Sequence, residues 1–241
     1  MYGSHNAWKT DKDWSHTMPN HSKFAIRILA VTLLLGTVSS TTLSAENWRG
    51  EINESAALLH KSDYEGSLRI SDRVVAEMVQ KLGAQDDLFA TALTHKALAS
   101  AGLGNVNDAL WYWYIAQAIS PAVAKTDLSE FGAAGEFLKR HPFSSAEMPV
   151  RGSVTPARVV KQVLPKFPPG ASRFGVGGDL VVQIIIDRNG QPTLPRIVRA
   201  LPAPTLSFVA LEALRHWQFE PGRSNGQPIS MPFDLTVHYK L

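Results

Sequence analysis

Histidine is the residue type in this sequence best suited to acid–base or metal chemistry near neutral pH. The chain has eight histidines, and His95, His216 and His238 lie far apart without the spacing of a metal site. It has no cysteine, which excludes disulfides, Cys-ligated zinc and thiol catalysis. The residue types therefore predict no metal-binding residues.

Catalytic motifs are also missing from the sequence. HExxH, a Walker loop and a nucleophile elbow do not occur. The glycine-rich stretch Gly175–Gly178 lacks the preceding strand and following helix that a phosphate-binding loop requires. We therefore predict no catalytic residue, no cofactor and no enzyme. An unrecognised hydrolase is the remaining catalytic alternative.

The charge pattern divides the chain into two parts. Acidic residues outnumber basic ones over residues 46–145, whereas basic residues outnumber acidic ones over 146–241. A basic surface attracts nucleic acid or an acidic protein face. A solvated basic surface is the simpler interpretation, so no nucleic-acid partner is predicted.

The segment 1–45 has the features of an export signal. The apolar run Ile28–Gly36 follows Arg27, and small hydroxylated residues lead to Ala45. The run is short of the roughly 20 residues that span a bilayer, so a cleaved signal is favoured over a weak membrane anchor. Met18 is an alternative start. A cleaved signal and a membrane anchor would each place the rest of the chain in the periplasm or outside the cell.

Residues 46–142 have the periodicity of helices. The pattern predicts a helix over Leu88–Ala101, a turn, and a helix over Asn107–Ile119. This pair resembles a tetratricopeptide repeat, and the resemblance is carried by Gly104, Ala109, Trp113, Ala116 and Pro121. About three such repeats are needed for a continuous core, so a spacer or docking shoulder is favoured over a peptide groove.

Residues 143–160 are predicted to be a linker, and 161–241 a separate small domain, with one short strand or helix near Ala157–Leu164 at their junction. The β-branched run Asp179–Ile186 predicts a central strand, and Asn189-Gly190 predicts the tip of a hairpin. The return strand contains Pro192 and Pro195. These prolines lack N–H groups, so this strand should lie at an edge.

A helix and a final strand complete the domain. Pro204–Trp217 carries an apolar stripe of helical period. Pro232–Leu241 alternates between apolar and polar residues. The order strand, hairpin, strand, helix, strand predicts an α+β fold in which one helix covers an antiparallel sheet, preceded by an all-helical region.

This C-terminal segment resembles the TonB C-terminal domain family over about residues 160–241. Asn225-Gly226-Gln227-Pro228 and a terminal strand follow the helix and its Trp-x-Phe-x-Pro exit. The motif residues are Phe167, Pro168, Trp217, Phe219 and Pro221. Phe167 stands where the family usually has tyrosine.

The resemblance implies a protein-binding function in the cell envelope. Family members capture an extended segment of an outer-membrane transporter as an added strand, and energy-transducing members work beside an inner-membrane motor protein. A free strand edge offers unpaired backbone groups for such capture. The terminal strand is the predicted binding edge, with Met231, Phe233, Leu235, Val237 and Tyr239 as its site residues.

Two features separate this chain from energy-transducing family members. They have a firm membrane anchor and a long Pro-rich spacer, whereas this sequence has a marginal anchor and helical repeats. A structural envelope scaffold or adaptor without energy transduction is therefore the alternative function. A homodimer is the corresponding alternative assembly.

Overall fold

A computed structural model of the chain describes residues 40–82, 86–141, 154–174 and 178–239. All of these residues belong to one compact unit. The signal and anchor alternatives concern residues 1–39, which lie outside the described part, so they stay predictions. Within the described residues, no helix has both the length and the apolar character that a membrane crossing requires.

Two helical hairpins form the N-terminal part of the fold. Helix α1 spans Ser40–His60 and α2 spans Tyr64–Lys81. Helix α3 spans Asp86–Gly102 and α4 spans Val106–Ile119, which confirms the predicted pair of helices. The predicted boundary at residue 45 falls inside α1.

Local sequence explains where these helices begin and end. Asp63 caps α2 by accepting a hydrogen bond from the Gly66 N–H at 2.9 Å. Gly104 has φ +78° in the turn between α3 and α4, a conformation that glycine adopts without a steric cost. The tetratricopeptide resemblance of these hairpins stays a prediction.

A short segment after α4 returns to the first and third helices. It contains 3-10 turns at Val123–Lys125 and Ser129–Phe131 and helix α5 at Gly132–Lys139. Helix α5 packs against α3, and the Ser129–Phe131 turn contacts α1.

The C-terminal module is built on an antiparallel sheet. Strand β3 (Gly178–Ile186) pairs with β4 (Pro192–Arg199) on one side and with β8 (Met231–Tyr239) on the other. Helix α6 (Pro204–Leu214) shares its buried core with β3. The predicted α+β fold, with the proline-containing return strand at an edge of the sheet, is confirmed.

Short strands complete this module. Strand β2 (Arg158–Lys161) pairs with β5 (Gln218–Glu220). Strand β1 (Val154–Thr155) pairs with β6 (Gly222–Ser224), which continues through the Asn225-Gly226 turn to β7 (Gln227–Ile229). Residues 154–160, which the sequence assigns to a linker, therefore contribute strands to the C-terminal module.

Candidate functional site

The terminal strand β8 is an edge strand. Its nine residues pair in continuous antiparallel register with β3, from Met231 opposite Ile186 to Tyr239 opposite Gly178. No other strand in the described part of the chain pairs with β8. In an antiparallel pair, every second residue of an edge strand directs its N–H and C=O away from the partner. The outer edge of β8 therefore carries a row of backbone donors and acceptors.

The apolar residues of β8 belong to the core of their own module. Residues opposite each other in a sheet place their side chains on the same face. Their partners on β3 are almost fully buried side chains under α6. The predicted site residues that pack against this core are Met231, Phe233, Leu235 and Val237. Their side chains are half-buried, so the strand can offer a partner its backbone edge and only the rim of this apolar row.

The other face of β8 is polar. Asp234 accepts a hydrogen bond from Gln183 Nε2 at 2.9 Å. His238 Nδ1 lies 2.5 Å from the Asp179 carboxylate, and both side chains are partly or largely exposed. Arg199 of β4 approaches the same carboxylate at 3.4 Å. Exposed polar side chains thus flank the β8 edge on the face opposite α6.

The N-terminal end of β8 has a neighbour from β1 and β2. The Ala157 backbone N–H lies 3.3 Å from Met231 Sδ. Because Ala157 contacts a side chain, it does not form a hydrogen bond with the outer backbone groups of β8 here. Tyr239 is described only through its backbone pairing with Gly178.

The motif residues support the strands that flank the site. The Trp217 indole N–H donates to the Val163 carbonyl at 2.8 Å. Phe219 stacks on Trp217 at 6.2 Å and meets Phe233 of β8 edge-to-face at 5.4 Å. An aromatic chain therefore runs from the exit of α6 to the start of β8.

The proline and phenylalanine motif positions have a supporting role as well. Pro168 is buried, and its carbonyl accepts from the Ala171 N–H at 3.2 Å. Phe167 packs against the core and is partly buried. Pro221 separates β5 from β6. None of these three residues lies in β8, so they position the module and do not form its edge.

A second set of residues joins the helical region to α6, and sequence reasoning did not identify it. Arg215, the residue that follows α6, forms a close ion pair with Asp108 of α4 and donates to the Tyr112 hydroxyl at 2.6 Å. Glu212 accepts from Trp111 Nε1 at 3.2 Å and from the Tyr112 hydroxyl at 3.4 Å. Phe89 of α3 meets Phe208 edge-to-face at 5.5 Å.

This junction is partly buried, and its charges are balanced. Burial raises the pKa of the Glu212 carboxyl, while Arg215 and Lys96 oppose that rise. Lys96 in turn lies 2.7 Å from Asp72 and over the Tyr112 ring at 4.0 Å. Lys96 and Arg215 therefore each lie near carboxylates: Lys96 pairs with Asp72, and Arg215 lies close to Asp108 and Glu212.

One sequence signal pointed to this junction. Four consecutive aromatic residues on one helix face all directions around its axis, so some must meet a neighbour. All four are buried: Trp111, Tyr112, Trp113 and Tyr114. The apolar periodicity of α6 did not show that its polar residues Glu212 and Arg215 face the helical region.

The helical region also contacts the sheet, and it does so at β4 through α4. Strand β4 and strand β8 are the two edges of that sheet. Adjacent strands lie about 4.8 Å apart, so β8 is roughly 10 Å from β4 across the sheet. The helical region thus occupies the β4 side and leaves β8 at the other edge.

The histidines named in the sequence analysis do not form one site. His95 is buried in α3, His216 is exposed after α6, and His238 is on β8. In the described residues, no three His, Asp or Glu side chains are grouped so as to hold a metal ion. Of the glycine-rich stretch, only Gly178 is described, and it begins β3.

Comparison with known proteins places the C-terminal module. Residues 163–241 match the family described as Gram-negative bacterial TonB protein C-terminal. Protein TonB of Vibrio cholerae is 29% identical over 86 residues, covering 36% of this chain and 35% of that protein. Protein TonB of Xanthomonas campestris is 31% identical over 77 residues, covering 32% and 34%.

A third relative, Protein TonB of Yersinia enterocolitica, is 33% identical over 75 residues, covering 31% of this chain and 29% of that protein. The chain spans about a third of the length of the curated relatives it matches. The match and the sheet with its covering helix agree on the same segment. Residues 163–241 of this chain therefore carry its match to the TonB C-terminal family.

Proposed function

We propose that this protein binds extended segments of envelope protein partners by strand addition along β8, in the service of energy transduction for transport. The observation that carries the proposal is the outer edge of β8, a nine-residue strand that pairs only with β3 among the described strands. Backbone hydrogen bonds to such an edge give affinity for an extended peptide of almost any sequence.

The position of the helical region supports this choice of edge. Strand β4 contains Pro192 and Pro195 and is contacted by α4. Prolines remove backbone donors, and a packed helix restricts access to an edge. Strand β8 contains one proline, Pro232, near its first residue. An added strand thus finds more available backbone donors at β8 than at β4.

Side chains beside β8 supply the means of selection. Half-buried Leu235 and Val237 offer an apolar rim on the α6 side of the edge. Asp234, Thr236 and His238 are exposed on the other side. A partner whose extended segment alternates apolar and polar residues would match both sides at once.

The proposed partners are outer-membrane receptor segments, with an inner-membrane motor protein as a further partner. The proposed location is the periplasm, reached by export signal or held by an N-terminal anchor. A structural envelope adaptor without energy transduction is the second candidate. It is favoured by the helical region packed on α6, because that packing gives the module a fixed support.

Titration of the full chain with peptides tests strand capture. Nine-residue peptides from outer-membrane receptors are added, and backbone amide exchange is followed by NMR or mass spectrometry. Capture predicts slower exchange for the outward amides of β8 and little change in β4. A peptide with proline at alternate positions is the control, because it lacks half of the donors. Unchanged exchange in β8 with every receptor peptide would remove strand capture and leave the adaptor candidate.

A pair of proline variants sharpens this test. Neighbouring residues of a strand direct their N–H groups to opposite edges, so Leu235→Pro and Thr236→Pro each remove a donor from a different edge of β8. The variant that loses an outward N–H should keep the β3 pairing and lose peptide protection. If both variants fold and both still bind the peptide strongly, that result would contradict capture at this edge.

A further inference from the structure

The segment Val123–Lys139 covers one side of the helical region. It leaves α4 and returns to pack on α1 and α3. Three of its large apolar residues are almost completely buried: Leu128 at 1%, Phe131 at 8% and Leu138 at 0% exposure. The segment thus packs on a helical surface through these three apolar residues, which are its anchors.

Phe131, the central anchor, is packed against two histidines. The His60 ring at the end of α1 stacks on the Phe131 ring with centroids 4.9 Å apart. The His95 ring of α3 lies 6.2 Å from the same ring. Burial favours the neutral form of an imidazole in such a position, because a buried charge without a partner is costly.

His95 is the buried member of the pair. It is 6% exposed, and its Nδ1 has no hydrogen-bond partner within the described structure. Burial, together with the smaller effect of the nearby His60, lowers the pKa of His95 to about 4. The imidazole is therefore neutral while the segment is seated, and a proton on it would have no compensating carboxylate.

The fold of the segment itself is compact. A Cβ on Gly135 would lie 1.8 Å from the Leu128 carbonyl oxygen, so α5 closes directly on the preceding turn. Gly132 turns the chain between them with φ +56°. Residues Leu128 to Leu138 thus form one compact segment.

We propose that the segment Leu128–Leu138 is a releasable latch on α1 and α3, and that uptake of a proton by His95 opens it. Opening solvates His95 and uncovers the apolar surface that Leu128, Phe131 and Leu138 occupy. Helix α3 is held independently by α2, α4 and the Phe89–Phe208 contact, so the rest of the fold can remain in place.

The charged groups around the latch set the direction of the response. From α1, His60 faces Phe131, and its Nε2 lies 3.8 Å from Glu130 of the adjoining turn. From α5, Lys139 pairs with Glu136 and with Asp127, all of them exposed in large part. On α3, Lys96 is engaged with Asp72 of α2. None of these pairs offers His95 a carboxylate partner.

His60 opposes the protonation of His95, because its coulombic effect lowers the pKa of His95. The Glu130 pair is exposed, so its contribution is small. We therefore expect His95 to dominate the response.

Proton linkage gives the size of the effect. The seated state of the latch is stabilised above the ordinary imidazole pKa, and this stabilisation is lost as pH falls through 6.5 toward about 4. With an ordinary pKa near 6.5 in the open state, the open fraction should rise roughly 30-fold between pH 7.5 and pH 5.

Hydrogen exchange of the full chain tests the latch. Exchange of the amides in residues 128–139 and of the buried strand β3 is measured at pH 7.5 and pH 5, with rates corrected for intrinsic chemistry. The latch predicts a roughly 30-fold loss of protection in 128–139 and an unchanged β3. His95→Leu removes the titrating group and should abolish the pH effect. Phe131→Ala should open the segment at both pH values.

His216→Gln is the matched control, because His216 is exposed and distant from the latch in sequence. It should retain the wild-type response. Equal protection of 128–139 at both pH values in wild type, or the same loss of protection in His95→Leu, would overturn the proposal. An equal loss of amide protection in β3 would also overturn the proposal, because it would indicate global unfolding.

Discussion

Arg215, directly after α6, and Asp108, in the first turn of α4, form an ion pair that spans 107 positions of sequence. The pair joins the covering helix of the TonB-like module to the last long helix of the helical region. Because Arg215 also donates to Tyr112, one guanidinium holds two residues of α4. The two parts of the chain are therefore connected by side chains as well as by the backbone.

Removal of Arg215 should destabilise this junction. Arg215→Ala leaves Asp108 and Glu212 without their shared cation, and we expect a loss of about 1–3 kcal/mol in the free energy of unfolding. Urea denaturation monitored by tryptophan fluorescence measures it. Arg158→Ala is the control, because Arg158 forms an exposed pair with Glu220 and should cost less than about 1 kcal/mol. Equal losses would show that the Arg215 pair contributes no more than a surface pair.

Glu212 should make stability depend on pH in a specific direction. Burial raises the pKa of its carboxyl above the ordinary value of 4.5, so the folded state holds the proton more tightly than the unfolded state. The resulting stabilisation is present below pH 4.5 and is lost as pH rises through the folded pKa. In Glu212→Gln this component should vanish. Denaturant midpoints from pH 4 to pH 8 for both proteins test the difference, and superimposable profiles would contradict it.

Gly190 at the hairpin tip should not tolerate a side chain. It has φ +78°, and an added Cβ would lie 2.0 Å from the Phe219 carbonyl oxygen. Gly226 has a similar φ of +82°, but an added Cβ there meets nothing within 4 Å. Gly226→Ala should therefore cost only the conformational penalty of about 1–2 kcal/mol. Gly190→Ala should cost on the order of 2 kcal/mol more because of overpacking. Thermal denaturation compares them, and equal costs would rule out the close approach.

Trp217→Phe should loosen the segment that precedes the module's central strand. The variant removes the indole N–H that donates to the Val163 carbonyl at 2.8 Å, with an expected cost of about 1–2 kcal/mol. Faster amide exchange in residues 160–168 is the local readout. Trp48→Phe provides the comparison, since the Trp48 indole makes a longer bond of 3.3 Å to Glu77 in the helical region. Unchanged exchange around Val163 would contradict a supporting role for Trp217.

The elements of the module were predictable because each follows from local chemistry. The β-branched run that became β3, the Asn189-Gly190 turn, and the alternation along β8 each indicate their structure within a few residues. The TonB C-terminal resemblance rested on the same elements and is confirmed over residues 163–241. The prolines of β4 predicted an edge strand, and β4 is an edge of the sheet.

Other features depended on residues that are distant in sequence. The sequence predicts a short strand or helix near Ala157–Leu164 and leaves the choice open, whereas β2 and β1 form strands because β5 and β6 pair with them. The apolar stripe of α6 does not show what its polar neighbours contact, and in the structure Glu212 and Arg215 face Trp111 and Tyr112. A polar residue's partner cannot be found from periodicity, since periodicity describes one element at a time.

The sequence alone determined the class of each long element, the α+β order of the C-terminal module and the residues that carry its family resemblance. Local propensity and turn chemistry suffice for these features because they act between near neighbours. Tertiary structure decided which strand edge the helical region contacts, which residues beside α6 meet the helical region, and that Phe131 packs against His60 and His95. These outcomes depend on packing between segments far apart in the chain, where the burial of apolar surface and the pairing of buried charges select one arrangement.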